Sequence, residues 1–144
     1  ESDFNGILDK TKYYSLKNYV HFHYFPKTPA IIMNALYLSE TKGYDDVEAY
    51  IKVGNPSVYN QVFDTYINKA YIEKSIGLYD SLSAMRRFLI GLDEPILTHK
   101  LRAKFILAQK LNNTLALYSN IKKLPPANRD TLCIIIDHIQ YMSK

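Results

Sequence analysis

Leu78-Tyr79-Asp80-Ser81-Leu82-Ser83-Ala84-Met85-Arg86-Arg87-Phe88-Leu89-Ile90-Gly91-Leu92-Asp93-Glu94-Pro95 is the stretch whose reading decides the fold. Leu78, Leu82, Met85, Leu89 and Leu92 recur at spacings of four, three, four and three, which draws a narrow apolar seam along one side of a helix. Gly91 and the Asp93-Glu94-Pro95 run end it, because proline biases the residue before it away from helical angles.

The same period appears on both sides of this segment. Upstream, Ile31, Ile32, Ala35 and Leu36 share a face after Thr28-Pro29, with proline in the first turn and Gly43 at the stop, so a helix is expected over about residues 29 to 42. Asn55 is placed to cap a second helix, over about 56 to 68, with the stripe Val58, Val62, Phe63, Tyr66 and Ile67. Downstream, Thr98 to about Asn112 sets Leu101, Phe105, Ala108 and Leu111 on one side and Lys100, Arg102, Lys104 and Lys110 mostly elsewhere. A short helix follows from Thr114 to Leu124. After the break at Pro125-Pro126, a last helix carries Leu132, Ile135, Ile136, Ile139 and Met142 at i, i+3, i+4, i+7 and i+10.

No stretch alternates strictly, so the class is all-α, with at least five helices and no sheet beyond a stray bridge. The residues expected in the core are Leu82, Met85, Leu89, Leu132, Ile135, Ile136 and Ile139. Residues 1–28, with Tyr13-Tyr14 and the aromatic run Tyr19 to Phe25, read as an irregular segment, with a short helix near residues 4 to 9, packed on a helical core of residues 29–144. Without an internal repeat or a Gly/Ser linker, residues 1–144 read as one domain.

The composition agrees with a globular chain. Of the 144 residues 47% are hydrophobic and 22% charged, and only eleven are Gly or Pro, whereas disordered chains lack the apolar groups that offset chain entropy. Cys133, the single cysteine, lies in the apolar run Leu132-Cys133-Ile134-Ile135-Ile136, where a thiol packs as a small hydrophobe; a reducing, cytoplasmic compartment fits best. No run approaches eighteen uncharged apolar residues, and Glu1-Ser2-Asp3-Phe4 does not begin a signal peptide. The lack of an initiator methionine and the close on Ser143-Lys144 point to an excerpt of a longer chain, with targeting information and other domains outside it.

Eighteen Lys and Arg against fourteen Asp and Glu give a net charge of +4, which favours an acidic partner, including an acidic membrane surface. Only four of the basic residues are arginines and tryptophan is absent, so the chain does not read as a nucleic-acid binder. His21 and His23 lack a Cys, Asp or Glu at ligand spacing and read as structural, so no metal is expected. Cys133 and His138 stand five apart, on different faces of a helix, and do not read as a nucleophile and its base. No glycine-rich phosphate loop occurs among the five glycines, and no cofactor is expected. The thirteen tyrosines suit a protein interface. On the residues alone, the chain is a helical interaction domain.

Three stretches, in order and at consistent spacing, go further. Met85-Arg86-Arg87-Phe88-Leu89-Ile90-Gly91-Leu92-Asp93-Glu94-Pro95-Ile96-Leu97 resembles the L-K-x-[FY]-[LF]-R-x-L-P-x-P-L helix of Rho GTPase-activating (RhoGAP) domains. Leu124-Pro125-Pro126-Ala127-Asn128-Arg129-Asp130-Thr131-Leu132, followed by Asp137-His138-Ile139, resembles that family's L-P-x-x-N-x-x-T-L helix with its terminal H-L pair. Thr28-Pro29-Ala30-Ile31-Ile32 fits the V-P-x-[IV]-[LV] opening of the first core helix, and Gly43 to Val53 falls where the family carries G-[LI]-x-x-E-G-[IL]-[FY]-R-x-S-G. The resemblance implies a RhoGAP-like helical bundle, shortened at its C-terminal end, where the family adds two more helices.

It also implies a partner, a GTP-loaded Rho-type small GTPase, and a chemistry in which an arginine finger spreads over the charge developing on the transferred phosphoryl group. The finger position is Lys52, the loop-supporting Lys is Arg86, the second basic position on that helix is Ile90, and the partner-binding Asn is Asn128. An ammonium is a hydrated point charge without the rigid fork of a guanidinium. The expectation is therefore a pseudo-GAP: a domain that binds the GTPase with weak or no stimulation of hydrolysis. Two readings stand beside it, an active RhoGAP with Lys52 or Arg86 as substitute cation, and a protein or membrane scaffold that has lost GTPase binding.

Overall fold

A computed structural model describes residues 13–21, 25–43, 45–46, 48–69 and 76–143. Among the described residues, a 3-10 turn at Leu16–Tyr19 is followed by six α-helices: α1 (Ala30–Lys42), α2 (Pro56–Tyr66), α3 (Leu78–Ile90), α4 (His99–Lys110), α5 (Thr114–Lys123) and α6 (Pro126–Met142). Among the described residues there is no strand, and the one isolated bridge joins Tyr14 to Leu92. The expected helix near residues 4 to 9 lies outside the described residues, as do His23 and the positions of Tyr44 and Val47 in the loop after α1.

The decisive segment is the middle of the molecule: α3 packs against both α1 and α2. It can do so because its buried side is wider than the leucine seam. Ser81, Ser83 and Ala84 are small and buried, which lets neighbouring helices approach, and Phe88 is wholly enclosed beside Leu82 and Met85. The main core joins these to Ile31, Ile32, Ala35, Leu36, Val62 and Phe63. A smaller core fills the α4–α5 hairpin with Leu101, Phe105 and Leu124, against which Leu117, Ile121 and Leu132 pack.

Caps explain the boundaries. Asn55 accepts from the Ser57 amide, Thr98 from that of Leu101 and Asn113 from that of Ala116, each occupying a first-turn donor that has no partner inside its helix. α2 stops at Tyr66, short of the expected residue 68, and Val58 of its stripe faces solvent.

Two expectations about apolar faces are corrected. Leu111 closes α4 exposed, not on the buried side. In α6, Leu132 and Ile135 are half-buried, but Ile136 and Ile139 face solvent, Ile139 at 57% exposure. The face turned inward bears Ala127, Asp130, Thr131 and His138. Polar partners set this rotation: the Lys27 amide donates to Asp130 Oδ2 (2.8 Å), the Thr131 and Thr28 hydroxyls meet at 3.4 Å, and His138 bonds to α1 and to the loop that follows it. Orienting α6 by its apolar stripe would have left these groups without partners, at about 1–3 kcal/mol each. Beside α6 the structure therefore presents an exposed apolar strip. Among the described residues, no helix is long and apolar enough to cross a membrane.

Candidate functional site around the loop from Gly43 to Asn55

The chain between α1 and α2 carries Lys52, and it is fastened along one stripe of α3. Asp80, Ser83 and Arg86, at i, i+3 and i+6, each take hold of it. The Asn55 amide donates to Asp80 Oδ1 (2.9 Å) and the Gly54 amide to Ser83 Oγ (3.0 Å). The Arg86 guanidinium donates to Ser83 Oγ (3.0 Å) and, more weakly, to the Lys52 carbonyl (3.4 Å). Gly54 is required by this closeness, since a Cβ there would collide with Asp80.

A second fastening holds the other side of the loop. Ala49 is completely buried in the main core. The Tyr50 hydroxyl lies 2.9 Å from Ser39 Oγ and bonds to Nε2 of His138, whose Nδ1 is 2.8 Å from Glu40 Oε2. One consistent direction satisfies all of them with a neutral imidazole: Ser39 donates to Tyr50, Tyr50 donates to Nε2, and Nδ1–H donates to the carboxylate. Burial raises the Tyr50 pKa above its ordinary value, Ser39 opposes that and Glu40 adds to it, so the phenol stays protonated as the chain requires.

The Lys52 ammonium sits at the loop surface, 3.8 Å from Glu48 and 5.6 Å from the centre of the Tyr79 ring. Tyr79 in turn donates to Asp46, and that bond raises its pKa. One turn beyond Arg86 on α3, Ile90 is 72% exposed, an apolar side chain at the position where the resemblance puts the family's second basic residue. Arg87, between them, has other work: it covers the Phe63 ring at 3.9 Å, donates to Asn60 (2.8 Å) and pairs with the Asp64 carboxylate (3.6 Å) on α2.

Asn128 stands in the first turn of α6, half-buried. Its Nδ2 donates to the Ile96 carbonyl (2.9 Å), bracing the loop that leaves α3. It also lines a cleft of about 770 Å³ between the 3-10 turn, the α3–α4 loop and the start of α6, bordered by Lys17, Asp93, Glu94 and His99. The structure thus joins Lys52 to Arg86 directly and connects Asn128 to the same helix through the loop at Ile96, with Ile90 between.

The end of α3 is held from outside this core. The Tyr14 hydroxyl donates to the Phe88 carbonyl (2.9 Å), in the last turn of the helix, and more weakly to that of Arg87 (3.3 Å), which also accepts from the Gly91 amide (3.1 Å). Its ring stacks on Phe88 at 5.3 Å and fills the space a side chain at position 91 would need. The backbone follows, with Tyr14 N to the Gly91 carbonyl and Asp93 N to the Tyr14 carbonyl, and Ser15 Oγ donates to Asp93 (2.6 Å).

The sequence motifs point to Lys52, Arg86, Ile90 and Asn128 but not to the groups that hold the loop and the helices, Asp80, Ser83, Tyr50 and Glu40. For His138 the sequence carries one signal, its place in the terminal H-L pair. Among the described residues no cluster of three or more His, Cys, Asp or Glu gathers at metal-binding distance, and the Nε2 of His21 is buried without a hydrogen-bond partner.

A helical core whose third helix, α3, clasps the loop that carries Lys52 and whose last helix opens with Pro-Pro-Ala-Asn defines a class, and the profile of the RhoGAP domain matches residues 29–144. The chain belongs to the RhoGAP domain family. It is 28% identical over 126 residues to Rac GTPase-activating protein 1 of Mus musculus, covering 83% of this chain and 20% of that protein. It is 29% identical over 131 residues to the GTPase-activating protein pac-1 of Caenorhabditis elegans, covering 81% of this chain and 8% of that protein. The chain thus spans a fifth or less of the length of these relatives. Among solved structures, human Rho GTPase-activating protein 15 superposes with a TM-score of 0.72 at 21% identity, over 79% of this chain and 58% of that one. The BH domain of Graf, the GTPase regulator associated with focal adhesion kinase, gives 0.67 at 24%, over 78% and 65%. Both share the fold.

Proposed function

We propose that the domain binds a Rho-type small GTPase in its GTP-bound state and accelerates hydrolysis little, acting within a longer cytoplasmic signalling or trafficking protein whose other domains bring it to its membrane. One observation carries this reading: the residue at the finger position is Lys52, on a loop held to α3 through Asp80, Ser83 and Arg86 and to α6 through Tyr50. The held loop supports binding, because a partner meets it already ordered. The lysine supports weak catalysis, because an arginine finger contributes roughly 10³ to 10⁵ in rate and a flexible ammonium recovers a small part of that. Ile90 removes a further positive contact.

Of the substitute cations, Arg86 is the poorer, since its guanidinium is engaged with Ser83 and the Lys52 carbonyl and would have to abandon the loop to enter a partner's active site. Lys52 remains as the cation of an active enzyme. Single-turnover hydrolysis by a panel of Rho-type GTPases tests the alternatives. Slight stimulation by the wild type, unchanged binding in Lys52→Ala and faster hydrolysis in Lys52→Arg are expected. Strong wild-type stimulation abolished in Lys52→Ala would make the domain an active GAP, and no preference for GTP-loaded over GDP-loaded partners would leave the scaffold reading.

A further inference from the structure

The net positive charge of the chain is concentrated in one place. From Pro95 to Arg129 there is no Asp or Glu but seven Lys and Arg, out of eighteen in the whole sequence. The remainder carries eleven basic residues against fourteen acidic, so all of the excess lies in and beside the α4–α5 hairpin. Lys100, Arg102, Lys104, Lys110, Lys122 and Lys123 are all exposed there.

The same hairpin exposes large apolar side chains at its tip. Leu111 in the turn is 67% exposed and Leu115 at the start of α5 is 80% exposed, with Leu107 and Tyr118 beside them also more than half in solvent. Their spacing puts them with the charges. Lys100, Lys104, Leu107 and Leu111 follow one another at i, i+4, i+7 and i+11, and Leu115, Tyr118 and Lys122 at i, i+3 and i+7. The opposite sides of both helices are already used by Leu101, Phe105, Leu117, Ile121 and Leu124, so the leucines at the tip are not a core left open by a wrong rotation.

We propose that the α4–α5 hairpin is a membrane-docking element, which seats Leu107, Leu111 and Leu115 in the headgroup–acyl boundary of an anionic bilayer while the flanking lysines meet its phosphates and carboxylates. Charge complementarity argues for this occupant: an acid-free basic surface fits a uniformly negative leaflet. The composition argues in the same direction, since protein interfaces are depleted in lysine and enriched in arginine, and five of these six cations are lysines. A protruding tip of leucines matches the shallow insertion of interfacial elements, which needs no groove. The inference does not depend on GTPase binding.

The test is co-sedimentation of the chain with vesicles of phosphatidylcholine alone or containing about 30% phosphatidylserine, at low and high salt. Binding to the anionic vesicles, weakened by salt and absent on the neutral ones, is expected. A basic residue close to an anionic leaflet is worth roughly fivefold in partitioning, so Lys104→Glu with Lys110→Glu should reduce binding by about twentyfold or more. Lys42→Glu with Lys69→Glu, the same change of charge elsewhere on the exposed surface, should reduce it much less. Leu111→Ser with Leu115→Ser should also release the chain, with its circular dichroism intact and its GTPase binding, measured without vesicles, unaltered. No binding to anionic vesicles overturns the proposal, as does equal loss in the two charge-reversal variants. Self-association that the leucine substitutions abolish, without vesicle binding, would assign the tip to a second copy and overturn it as well.

Discussion

Replacing Tyr50 by Phe removes a single oxygen and tests whether the loop is held as the geometry implies. That oxygen lies between two buried groups, Ser39 Oγ and Nε2 of His138, the latter on a side chain only 4% exposed. Ser39 is inside α1, and its hydroxyl can turn to a carbonyl one turn back, so its loss is partly made good. The imidazole has no such recourse: with Nδ1 held by Glu40, Nε2 becomes a buried acceptor without a donor, which costs about 1–3 kcal/mol. Taking about 2 kcal/mol, and a protein of this size, the thermal midpoint should fall by roughly 6–10 °C. Ser39→Ala should cost less, about 1 kcal/mol, because it leaves Nε2 satisfied. The assay is thermal unfolding by circular dichroism together with amide hydrogen exchange, in which the amides of Ala49 and Lys52 should exchange faster in Tyr50→Phe. Unchanged stability and unchanged exchange would refute the idea that this bond holds the loop.

Asn128→Ala and Arg86→Ala should each weaken GTPase binding by about 1–3 kcal/mol if these residues line the docking surface, as titration with a GTP-analogue-loaded partner will measure; two unaltered affinities with intact folds would move the partner site elsewhere. Single-turnover rates for wild type, Lys52→Ala and Lys52→Arg should rank as slight, negligible and raised. Burial raises the Tyr14 pKa well above 10, with the Arg87 charge opposing. A raised folded-state pKa leaves stability intact below about pH 10, where the phenol is neutral folded or unfolded, and removes it as the pH climbs above that. Alkaline unfolding scans should therefore show a loss that begins above about pH 10 and is smaller in Tyr14→Phe.

The helices were legible because their signals are local. The Leu82 and Met85 seam, the Asn55 cap and the Pro125-Pro126 break each act within a few residues, and each appears where expected. The rotation of α6 was not legible, because its apolar stripe and its polar partners compete. Ile136 and Ile139 obey the period, but Asp130, Thr131 and His138 are bound by residues about ninety to a hundred positions away. The candidate site divides in the same way. Lys52, Arg86, Ile90 and Asn128 could be placed by matching motifs, whereas the path of the loop depends on Asp80 and Ser83, which look in the sequence like an ordinary helix start and a small core residue. Tyr50 stands where the family pattern carries Ile or Leu, and its period alone gave no hint of a hydroxyl reaching across to α6.

The contact between Tyr14 and Gly91 ties together two positions of unequal standing. Residue 14 precedes the part of the chain that matches the family, and residue 91 is one that the family's helix pattern leaves unrestricted. Here the ring occupies the volume of any side chain at 91, so the freedom of that position is withdrawn for as long as Tyr14 is present. A lineage could regain it only by shrinking residue 14 first, and would then expose the last carbonyls of α3. In evolutionary terms the two sites should drift as a pair: descendants with a bulkier residue at 91 are expected to carry a small one at 14 and a different stop for the helix that bears Arg86.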